Sequence, residues 1–457
     1  MRKKTWVKLD NASKIFLATY NKIDTKVFRI STVLEEQIDA DLLQEALNAT
    51  FQHFNLYHSI IRRGVFWYYL EDSDLQPKVE KVYQSPCRPI YKIGEKNLLF
   101  RVTYLENRIH LEVFHALSDG TGAMWFLEML LYQYLKRRYP EAFIEQIQGH
   151  LGKGSLKQQM DDSFTHYFGY EGHKTFGRSS RHTFDNLGQM VTDGAKIKDE
   201  NHKKNKVYHV RGLRTPDKRM RCIEALMPAK SVLALAKQEK TTLTVYLTAL
   251  FMLAVFRDAP RSRRPQDIAV SIPINLRQYF KSASARNFFA TMRVQHTFYP
   301  QDIVLEDEVI LSRICRDLEG QFEKALSKET LEAKVQALRA YEDNLFIRMT
   351  PRLIKDSILK FINHIRNREL TIAISNLGLI RFGEDVDTFV KGLSVETSAI
   401  RPQFCAVSHG NVLSICFTSP FIETEIQKNM IRMLTHQGIE VTVSANRVDE
   451  KTKKEAR

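Results

Sequence analysis

The segment from Arg108 to Arg138 constrains the fold most strongly, because a strand pattern in it changes directly into a helix pattern. Apolar residues alternate with other residues in its first part, at Ile109, Leu111 and Val113. This period of two predicts a strand with one face toward a core. His115 continues the same row, so we expect its imidazole ring to point inward, into a cleft.

A turn and a helix are predicted directly after His115. Asp119 can close the turn by binding an arginine, which would fix the position of the histidine ring. We expect Gly120 to adopt a backbone conformation that a side chain would forbid. Thr121 is expected to cap a helix from Ala123 to Arg138. Strand, turn and helix therefore meet at His115.

His115 is the leading candidate for a catalytic residue. An imidazole with an ordinary pKa near 6.5 is roughly three-quarters neutral at pH 7, and a neutral ring can accept a proton from a hydroxyl or an amine. This chemistry needs no metal ion. A histidine that is simply a buried core residue is the alternative that the isolated pattern leaves open.

Strand and helix patterns alternate along much of the chain, which indicates an α/β layer structure. In the first part, a strand is predicted from Val27 to Leu34, and a helix capped by Asp39 follows it. Near the end, His409-Gly410-Asn411 predicts the turn of a hairpin. Between these regions we predict the strand Ile223 to Met227, the helix Ala229 to Glu239, a buried helix at 243–257 and a strand leading to Asn275.

The length of 457 residues and a hydrophobic content of 43% predict two lobes, each with its own core. We place the first lobe at residues 1–190, a connector at 191–215 and the second lobe at 216–457. The run from Lys196 to Lys206 has many charged residues and few apolar ones. That composition is typical of a connector.

Composition also limits the location and the partners. Five widely spaced cysteines without a Cys-x-x-Cys pair favour buried thiols over a metal site or a redox motif. The first residues lack the apolar stretch of a secretory signal, so we expect a cytoplasmic protein. A formal net charge of +15 suits polyanions such as nucleic acid, an anionic lipid surface or the phosphates of coenzyme A. We expect no binding to nucleic acid, because the densest basic runs fit a surface loop and a linker better than a nucleic-acid site. We expect the protein to be a monomer.

The run His115-Ala-Leu-Ser-Asp119-Gly120 resembles the His-x-x-x-Asp-Gly motif of an acyltransferase superfamily. That superfamily includes chloramphenicol acetyltransferase, BAHD acyltransferases, alcohol acetyltransferases and nonribosomal peptide condensation domains. The resemblance covers nearly the whole chain and points most closely to bacterial alcohol acetyltransferase-like and polyketide-associated acyltransferases. Segments similar to these proteins occur in the family's order at Lys8 to Phe16, Tyr57 to Arg63, Ser271 to Arg277, Arg286 to Phe289 and Ser375 to Gly378.

Two departures narrow the resemblance. Condensation domains carry a second histidine directly before the catalytic one, where this chain has Phe114. This difference favours a free-standing transferase. BAHD acyltransferases carry an Asp-Phe-Gly-Trp-Gly segment near the carboxy terminus, and this sequence has no such run. A plant-type BAHD enzyme is therefore a poor match.

The resemblance implies two chloramphenicol acetyltransferase-like α/β lobes with mixed sheets and an active-site tunnel between them. It implies that His115 is the general base that deprotonates an alcohol or amine acceptor for direct attack on an acyl thioester. Acyl-coenzyme A is the expected co-substrate, and no permanently bound cofactor is expected. Asp119 would be structural, in an ion pair with Arg62 or, as the second choice, with Arg277.

Four polar residues of the second-lobe motifs are candidates for hydrogen bonds to the oxyanion or to the donor's amides. They are Ser271, Asn275, Ser375 and Asn376. A local role at strand ends and turns is the alternative for each of them.

Three other functions stay open at this point. A free-standing condensation enzyme would form an amide from a donor bound to a carrier protein. A catalytically silent scaffold would keep the fold only for binding. A membrane-surface protein is the third, because Arg352 to Arg366 predicts an amphipathic helix. We favour packing of its apolar face against a lobe; that face consists of Ile354, Ile358, Phe361, Ile362 and Ile365.

Overall fold

The computed structural model describes residues 6–143, 163, 207–215, 219–343 and 349–446. The strands in those ranges are β1 (Trp6–Lys8), β2 (Val27–Leu34), β3 (Ser59–Arg63), β4 (Tyr68–Asp72), β5 (Val79–Lys81), β6 (Phe100–Leu105), β7 (Arg108–Phe114), β8 (Arg221–Pro228), β9 (Gln266–Asn275), β10 (Phe289–Phe298), β11 (Ile372–Ile380), β12 (Val390–Thr397), β13 (Gln403–His409), β14 (Val412–Ser419) and β15 (Thr442–Ala445). The α-helices are α1 (Asn11–Thr19), α2 (Ala40–His53), α3 (Gly120–Arg138), α4 (Ala229–Gln238), α5 (Leu243–Asp258), α6 (Asp307–Leu326), α7 (Lys328–Asp343), α8 (Arg352–Asn367), α9 (Glu384–Asp387) and α10 (Glu425–His436).

The strands form three sheets. A five-stranded sheet has the order β12-β2-β7-β6-β5, and a seven-stranded sheet has the order β10-β9-β11-β13-β14-β8-β15. A small third sheet has the order β1-β4-β3. In the seven-stranded sheet β11 runs parallel to both β9 and β13, while the other pairs are antiparallel. The predicted α/β class with mixed sheets is confirmed.

Each of the two large sheets has its own hydrophobic core. In the first, α2 packs on α3, and in the second, α5 packs against α6 and α10. From Val245 to Phe256 every residue of α5 is buried, because the helix is apolar on all sides and is covered all round. The predicted buried helix is therefore confirmed.

β12 does not lie in the lobe that its sequence position predicts. It pairs with β2, with Val390 opposite Leu34 and Thr397 opposite Phe28, and so forms an edge of the five-stranded sheet. The assignment of 216–457 to one lobe is wrong for this strand, because strand order depends on long-range pairing that local periodicity does not reveal. Residues 191–206 of the predicted connector lie outside the described residues. Val207, the first described residue of this connector, forms a bridge with Asp267 of β9.

Several local predictions are confirmed. β2 has the predicted bounds, and the carboxylate of Asp39 accepts hydrogen bonds from the first backbone amides of α2. β13 and β14 form the predicted hairpin around Gly410, which has a φ of +56°. All five cysteines are buried and free.

The prediction for the amphipathic helix, α8, needs a correction. Ile354 and Phe361 of its apolar face are exposed, whereas Lys355 is buried. Among the described residues, no single helix is long and apolar enough to cross a membrane. Only α4 and α5 together meet that criterion by length and composition, and they are bent by 83° at the break between them.

Candidate active site

His115 lies directly after β7, a central strand of the five-stranded sheet. Its backbone amide donates a hydrogen bond to the Lys26 carbonyl at 2.7 Å, which extends the pairing with β2 by one residue. Three phenylalanine rings surround the imidazole, with centroids 4.3 Å (Phe16), 5.0 Å (Phe28) and 5.7 Å (Phe289) away. The ring is thus held in an aromatic cage at the end of a core strand, as the alternating pattern predicts.

Asn287 fixes the orientation of the His115 ring. Its amide nitrogen donates to the His115 carbonyl at 2.8 Å and to Oγ of Ser13 at 3.0 Å. The side-chain oxygen of Asn287 therefore faces Nδ1 of His115, at 3.1 Å. Because that oxygen can only accept, Nδ1 must carry the proton, which leaves Nε2 with a free lone pair. This is the tautomer that a general base needs.

The surroundings of His115 also favour the neutral ring. Burial lowers the pKa of His115 below its ordinary value of 6.5, against the opposing effects of the Asp119 charge and the Asn287 hydrogen bond. Burial disfavours the imidazolium because the charged ring loses its hydration. The base form therefore predominates at neutral pH.

Asp119 is buried and binds three partners. One carboxylate oxygen accepts hydrogen bonds from Nη1 of Arg277 at 2.7 Å and from the amide of Phe288 at 2.9 Å. The other accepts from the amide of Gly122 at 3.0 Å and so caps α3. The predicted cap at Thr121 is wrong, because Asp119 occupies that role and α3 begins at Gly120.

The first choice of ion-pair partner for Asp119, Arg62, is also wrong. Arg62 pairs with Glu71 instead. Both residues lie in the small sheet, where Ile60 is opposite Glu71 and Arg62 is opposite Tyr69. Diagonal neighbours on one face of an antiparallel pair are within reach of long side chains. Arg277, the second choice, is the arginine that binds Asp119.

The guanidinium of Arg277 donates hydrogen bonds to three residues. Apart from Asp119, its guanidinium donates to the carbonyls of Ser284 and Arg286, at 2.7 and 2.6 Å for Nη2. Arg277 lies two residues after the end of β9. Its bond to Asp119 therefore joins the loop after β9 to the start of α3, beside His115.

The glycine that the structure requires after Asp119 is Gly122, and the prediction for Gly120 is wrong. Gly120 does not have the predicted special backbone conformation, and a Cβ atom there would meet only Leu377, at 3.6 Å. At Gly122 a Cβ atom would lie 2.1 Å from the Ala285 carbonyl oxygen. Glycine is therefore required at 122, where the loop after β9 passes against α3.

The short segment 286–289 connects the parts of the site. Arg286 is buried and donates to the Lys8 carbonyl at 2.8 Å, close to Asp10, which caps α1. The next three residues contact His115 or Asp119, as described above for Asn287, Phe288 and Phe289. This segment holds α1, His115 and the start of α3 together.

Two cavities meet at His115. The larger has a volume of about 980 Å³ and lies between α3 of the first core and α5, α6 and β9 of the second. The smaller, about 200 Å³, lies between the two large sheets and has mainly apolar walls. The residues that line both are His115, Gly120, Pro273, Ser375 and Leu377. The His115 ring can therefore contact molecules that enter either space.

The four predicted oxyanion candidates differ in their surroundings. The side chain of Asn275 accepts from the amide of Arg277 and donates to Thr121, and that of Asn376 accepts from the amide of Gly378 and donates to Thr244. In both asparagines the side-chain oxygen accepts a local bond, and the amide nitrogen donates to a residue distant in the chain. Ser271 lines only the smaller cavity, whereas Ser375 lines both.

Solved structures with the same architecture were found over almost the whole chain. A polyketide synthase associated protein 5 from Mycobacterium tuberculosis matches with a TM-score of 0.55 and 11% identity, covering 94% of this chain and 96% of that one. A trichothecene 15-O-acetyltransferase from Fusarium sporotrichioides matches with a TM-score of 0.59 and 11% identity, over 94% of each chain. A mutant starter condensation domain of rhizomide synthetase, in complex with C8-CoA, matches with a TM-score of 0.58 and 13% identity, over 94% of each chain.

This chain has the fold shared by condensation domains and chloramphenicol acetyltransferase-like acyltransferases. No family model matches its sequence, and no curated protein matches it either. The likeness is therefore one of fold, because the sequence identity to these three solved structures is 11–13%.

Within this chloramphenicol acetyltransferase-like fold, the position before His115 belongs to the core. Phe114 is fully buried, stacks on Tyr91 at 5.4 Å and meets the edge of Tyr20 at 5.8 Å. Its side chain points away from His115, as alternation along a strand requires.

Asn287 is the residue of this site that the sequence patterns did not identify. It lies 172 positions after His115 in the chain, and no local periodicity connects the two. The available signal was the similarity of Arg286 to Phe289 to a second-lobe motif, which marked the segment without revealing the role of any residue in it.

Proposed function

We propose that this protein is an acyltransferase that moves an acyl group from a thioester donor, in the first instance acyl-coenzyme A, to a hydroxyl acceptor. The observation that supports this most is the His115 ring, oriented by Asn287 with Nε2 unprotonated, where two cavities meet. The fold, shared with solved acyltransferases, is compatible with this chemistry.

In the proposed reaction, Nε2 of His115 takes the proton from the acceptor hydroxyl as its oxygen attacks the thioester carbonyl carbon. A tetrahedral intermediate forms, with its negative charge on the former carbonyl oxygen. When the carbon–sulfur bond breaks, the departing thiolate takes the proton from Nε2. Base assistance of this kind contributes about a hundred- to ten-thousand-fold in rate, and holding the two substrates together contributes more.

Ser375 is the residue that we place nearest the developing oxyanion. It lines both cavities together with His115, so its hydroxyl can reach a group bound at their junction. A hydrogen-bond donor at such a position is worth most when the charge develops in a site from which water is excluded.

We assign the acyl group to the smaller cavity. Its walls are mainly apolar, and they include Phe28, Ile30, Ile374, Val395 and Phe404. An alkyl chain gains free energy by leaving water for such a space. The larger cavity, which includes Glu128, Glu319 and Glu323 among its lining residues, would then hold the acceptor.

The test measures thiol release from a series of acyl-coenzyme A donors of increasing chain length, each with a panel of alcohols and amines. We expect turnover with alcohols and a loss of at least about a hundredfold in kcat for His115→Ala. His436→Ala, which changes an exposed histidine at the end of α10, is the matched control. Equal turnover by folded His115→Ala and the parent would refute the proposed base.

The pH profile gives a second readout. Because the pKa of His115 is lowered from 6.5, protonation should abolish the base only at acidic pH. We therefore expect the acid limb of kcat/KM to have an apparent pKa below 6.5. An acid limb centred above that value would contradict the assignment of His115.

A condensation enzyme that uses a carrier-protein-bound donor is the second candidate, because condensation domains share this fold. Amide formation from an acyl carrier protein, together with silence toward every coenzyme A thioester, would favour it. Silence toward both kinds of donor would favour a catalytically inactive scaffold.

A further inference from the structure

One face of α8 exposes the kind of side chains that a helix in a globular protein normally buries. Leu353 is 70% exposed and Phe361 is 66% exposed, and Ile354 beside them is exposed as well. The buried side chain of this helix is Lys355, whose ammonium group lies 3.4 Å from the centre of the Trp67 ring. The cationic side chain of Lys355 is thus buried against the rest of the protein, while three large apolar side chains of the same helix are exposed to solvent.

The turn between β3 and β4 adds two more apolar side chains to the same surface. Val65 and Phe66 are exposed at its tip. The amide of Arg352 donates to the Val65 carbonyl at 3.0 Å, and Nζ of Lys355 donates to the Phe66 carbonyl at 3.2 Å. These bonds hold the start of α8 against the turn.

We call the combined surface the apolar ridge, and it consists of Val65, Phe66, Leu353, Ile354 and Phe361. Its parts come from positions almost three hundred residues apart, so the ridge is a property of the folded molecule.

Positive charge lies beside the apolar ridge. α8 carries four basic residues and one acidic residue, a formal net charge of +3, and of the basic residues Lys355 is buried. The ammonium groups of Lys8 and Lys14 lie 4.1 and 4.8 Å from the same Trp67 ring that Lys355 contacts. The chain as a whole has a formal net charge of +15. Apolar groups that project from a basic surface complement an anionic bilayer, whose headgroups attract the cations while its acyl region accepts the apolar side chains.

We propose that the apolar ridge binds the surface of an anionic lipid bilayer. A helix with a polar, cationic face and Leu, Ile and Phe on the other is typical of segments that lie in the membrane interface. The charge argues against a second copy of the chain as the occupant, because two basic surfaces would repel each other. Membrane docking would be independent of the acyl-transfer chemistry proposed above.

The test is flotation of the purified full-length protein with two kinds of vesicle, phosphatidylcholine alone and phosphatidylcholine mixed with phosphatidylserine. We expect binding to the anionic vesicles, weaker binding to the neutral ones, and loss of the difference at high salt as the charges are screened. Leu353→Ser combined with Phe361→Ser should weaken binding to anionic vesicles by about tenfold or more.

A matched control changes two apolar residues with similar exposure elsewhere. Val304 is 80% exposed and Val309 is 58% exposed, near the start of α6, and Val304→Ser with Val309→Ser should leave vesicle binding unchanged. The thermal transition of each variant establishes that it is folded.

Two results would overturn the proposal. The first is a parent protein that stays with the soluble fraction whichever vesicle is used. The second is an equal loss of binding in the ridge and control variants. A parent that sediments as a dimer, fails to float and becomes a monomer through Leu353→Ser and Phe361→Ser would identify the apolar ridge as a contact between copies and reject the lipid surface.

Discussion

Asn287 orients the His115 ring with a neutral amide. A carboxylate in the same place would also accept a hydrogen bond from Nδ1, but it could not donate to the His115 carbonyl as the amide does. Its charge would in addition stabilise the imidazolium and raise the pKa of the histidine. The amide fixes the tautomer without adding a charge. Burial therefore lowers the pKa of His115, although the Asp119 charge and the Asn287 hydrogen bond act to raise it.

We predict that Asn287→Ala lowers kcat by about ten- to a hundredfold with a smaller change in KM, because the ring loses the group that fixes its tautomer and position. Asn287→Asp should keep an acceptor for Nδ1 but move the acid limb of kcat/KM to higher pH, because the added negative charge stabilises the imidazolium. The measurement is the pH dependence of thiol release for both variants.

Asn411→Ala is the control for Asn287. Asn411 lies in the β13–β14 turn of the seven-stranded sheet, and its side-chain oxygen accepts a hydrogen bond from the backbone amide of Lys230 in α4. If Asn287 were only structural, Asn287→Ala and Asn287→Asp would both have a lower melting temperature, and the acid limb of kcat/KM would stay where it is in the parent. Variants that fold normally and keep the acid limb of the parent would therefore contradict the positioning role.

The contrast between Gly120 and Gly122 gives a second prediction at this scale. Gly122→Ala forces the loop after β9 away from α3, because its Cβ would lie 2.1 Å from the Ala285 oxygen. We expect a loss of about 1–3 kcal/mol in the free energy of unfolding. Gly120→Ala, two residues earlier, would place a Cβ in ordinary contact with Leu377 at 3.6 Å and should change that free energy by less than about 1 kcal/mol. Urea denaturation of the pair measures the difference, and equal effects would refute the close approach at 122.

At the scale of elements, the ion pair of Asp119 and Arg277 joins α3 to the loop after β9. Their side chains are 8% and 7% exposed. Asp119→Ala leaves the Arg277 cation buried without its partner, so we predict a loss of about 3–5 kcal/mol in the free energy of unfolding. Removing both charges, with Asp119→Ala and Arg277→Met, should recover part of that loss.

The control for this pair is Glu95→Ala, which removes one member of the exposed Lys92–Glu95 pair. Exposed pairs contribute about 0–1 kcal/mol. If Asp119→Ala were no more destabilising than Glu95→Ala, the ion pair would not be what holds α3 in place.

The elements themselves were largely predictable because their signals are local. Strand patterns predicted β7 and β2, a continuous apolar run predicted the buried helix α5, and a Gly-containing turn predicted the β13–β14 hairpin. The partners of their side chains were not predictable in the same way. Arg62 and Arg277 have the same chemistry, and only the pairing of β3 with β4 decides that Arg62 meets Glu71. Likewise, nothing local to Lys355 indicates that its charge is buried against Trp67.

At the scale of the whole molecule, the two lobes are less separate than the chain order suggests. β12 lies between β11 and β13 in the chain, but it pairs with β2 at an edge of the five-stranded sheet. It also contacts β13 and β14 of the seven-stranded sheet. Its buried residues Val390, Leu393 and Val395 belong to the first core. The first lobe therefore depends on a strand that is encoded near the end of the chain.

This dependence gives a prediction about division of the chain. Residues 1–215 alone would expose the edge of β2 and lose the apolar side chains that β12 contributes, and an exposed apolar edge strand promotes aggregation. We expect this fragment to be insoluble or unfolded by circular dichroism. Co-expression with residues 216–457 should restore a soluble complex, because the second fragment supplies β12. A fragment 1–215 that folds cooperatively by itself, with a melting transition close to that of the full chain, would show that β12 is dispensable and that the lobes are separable after all.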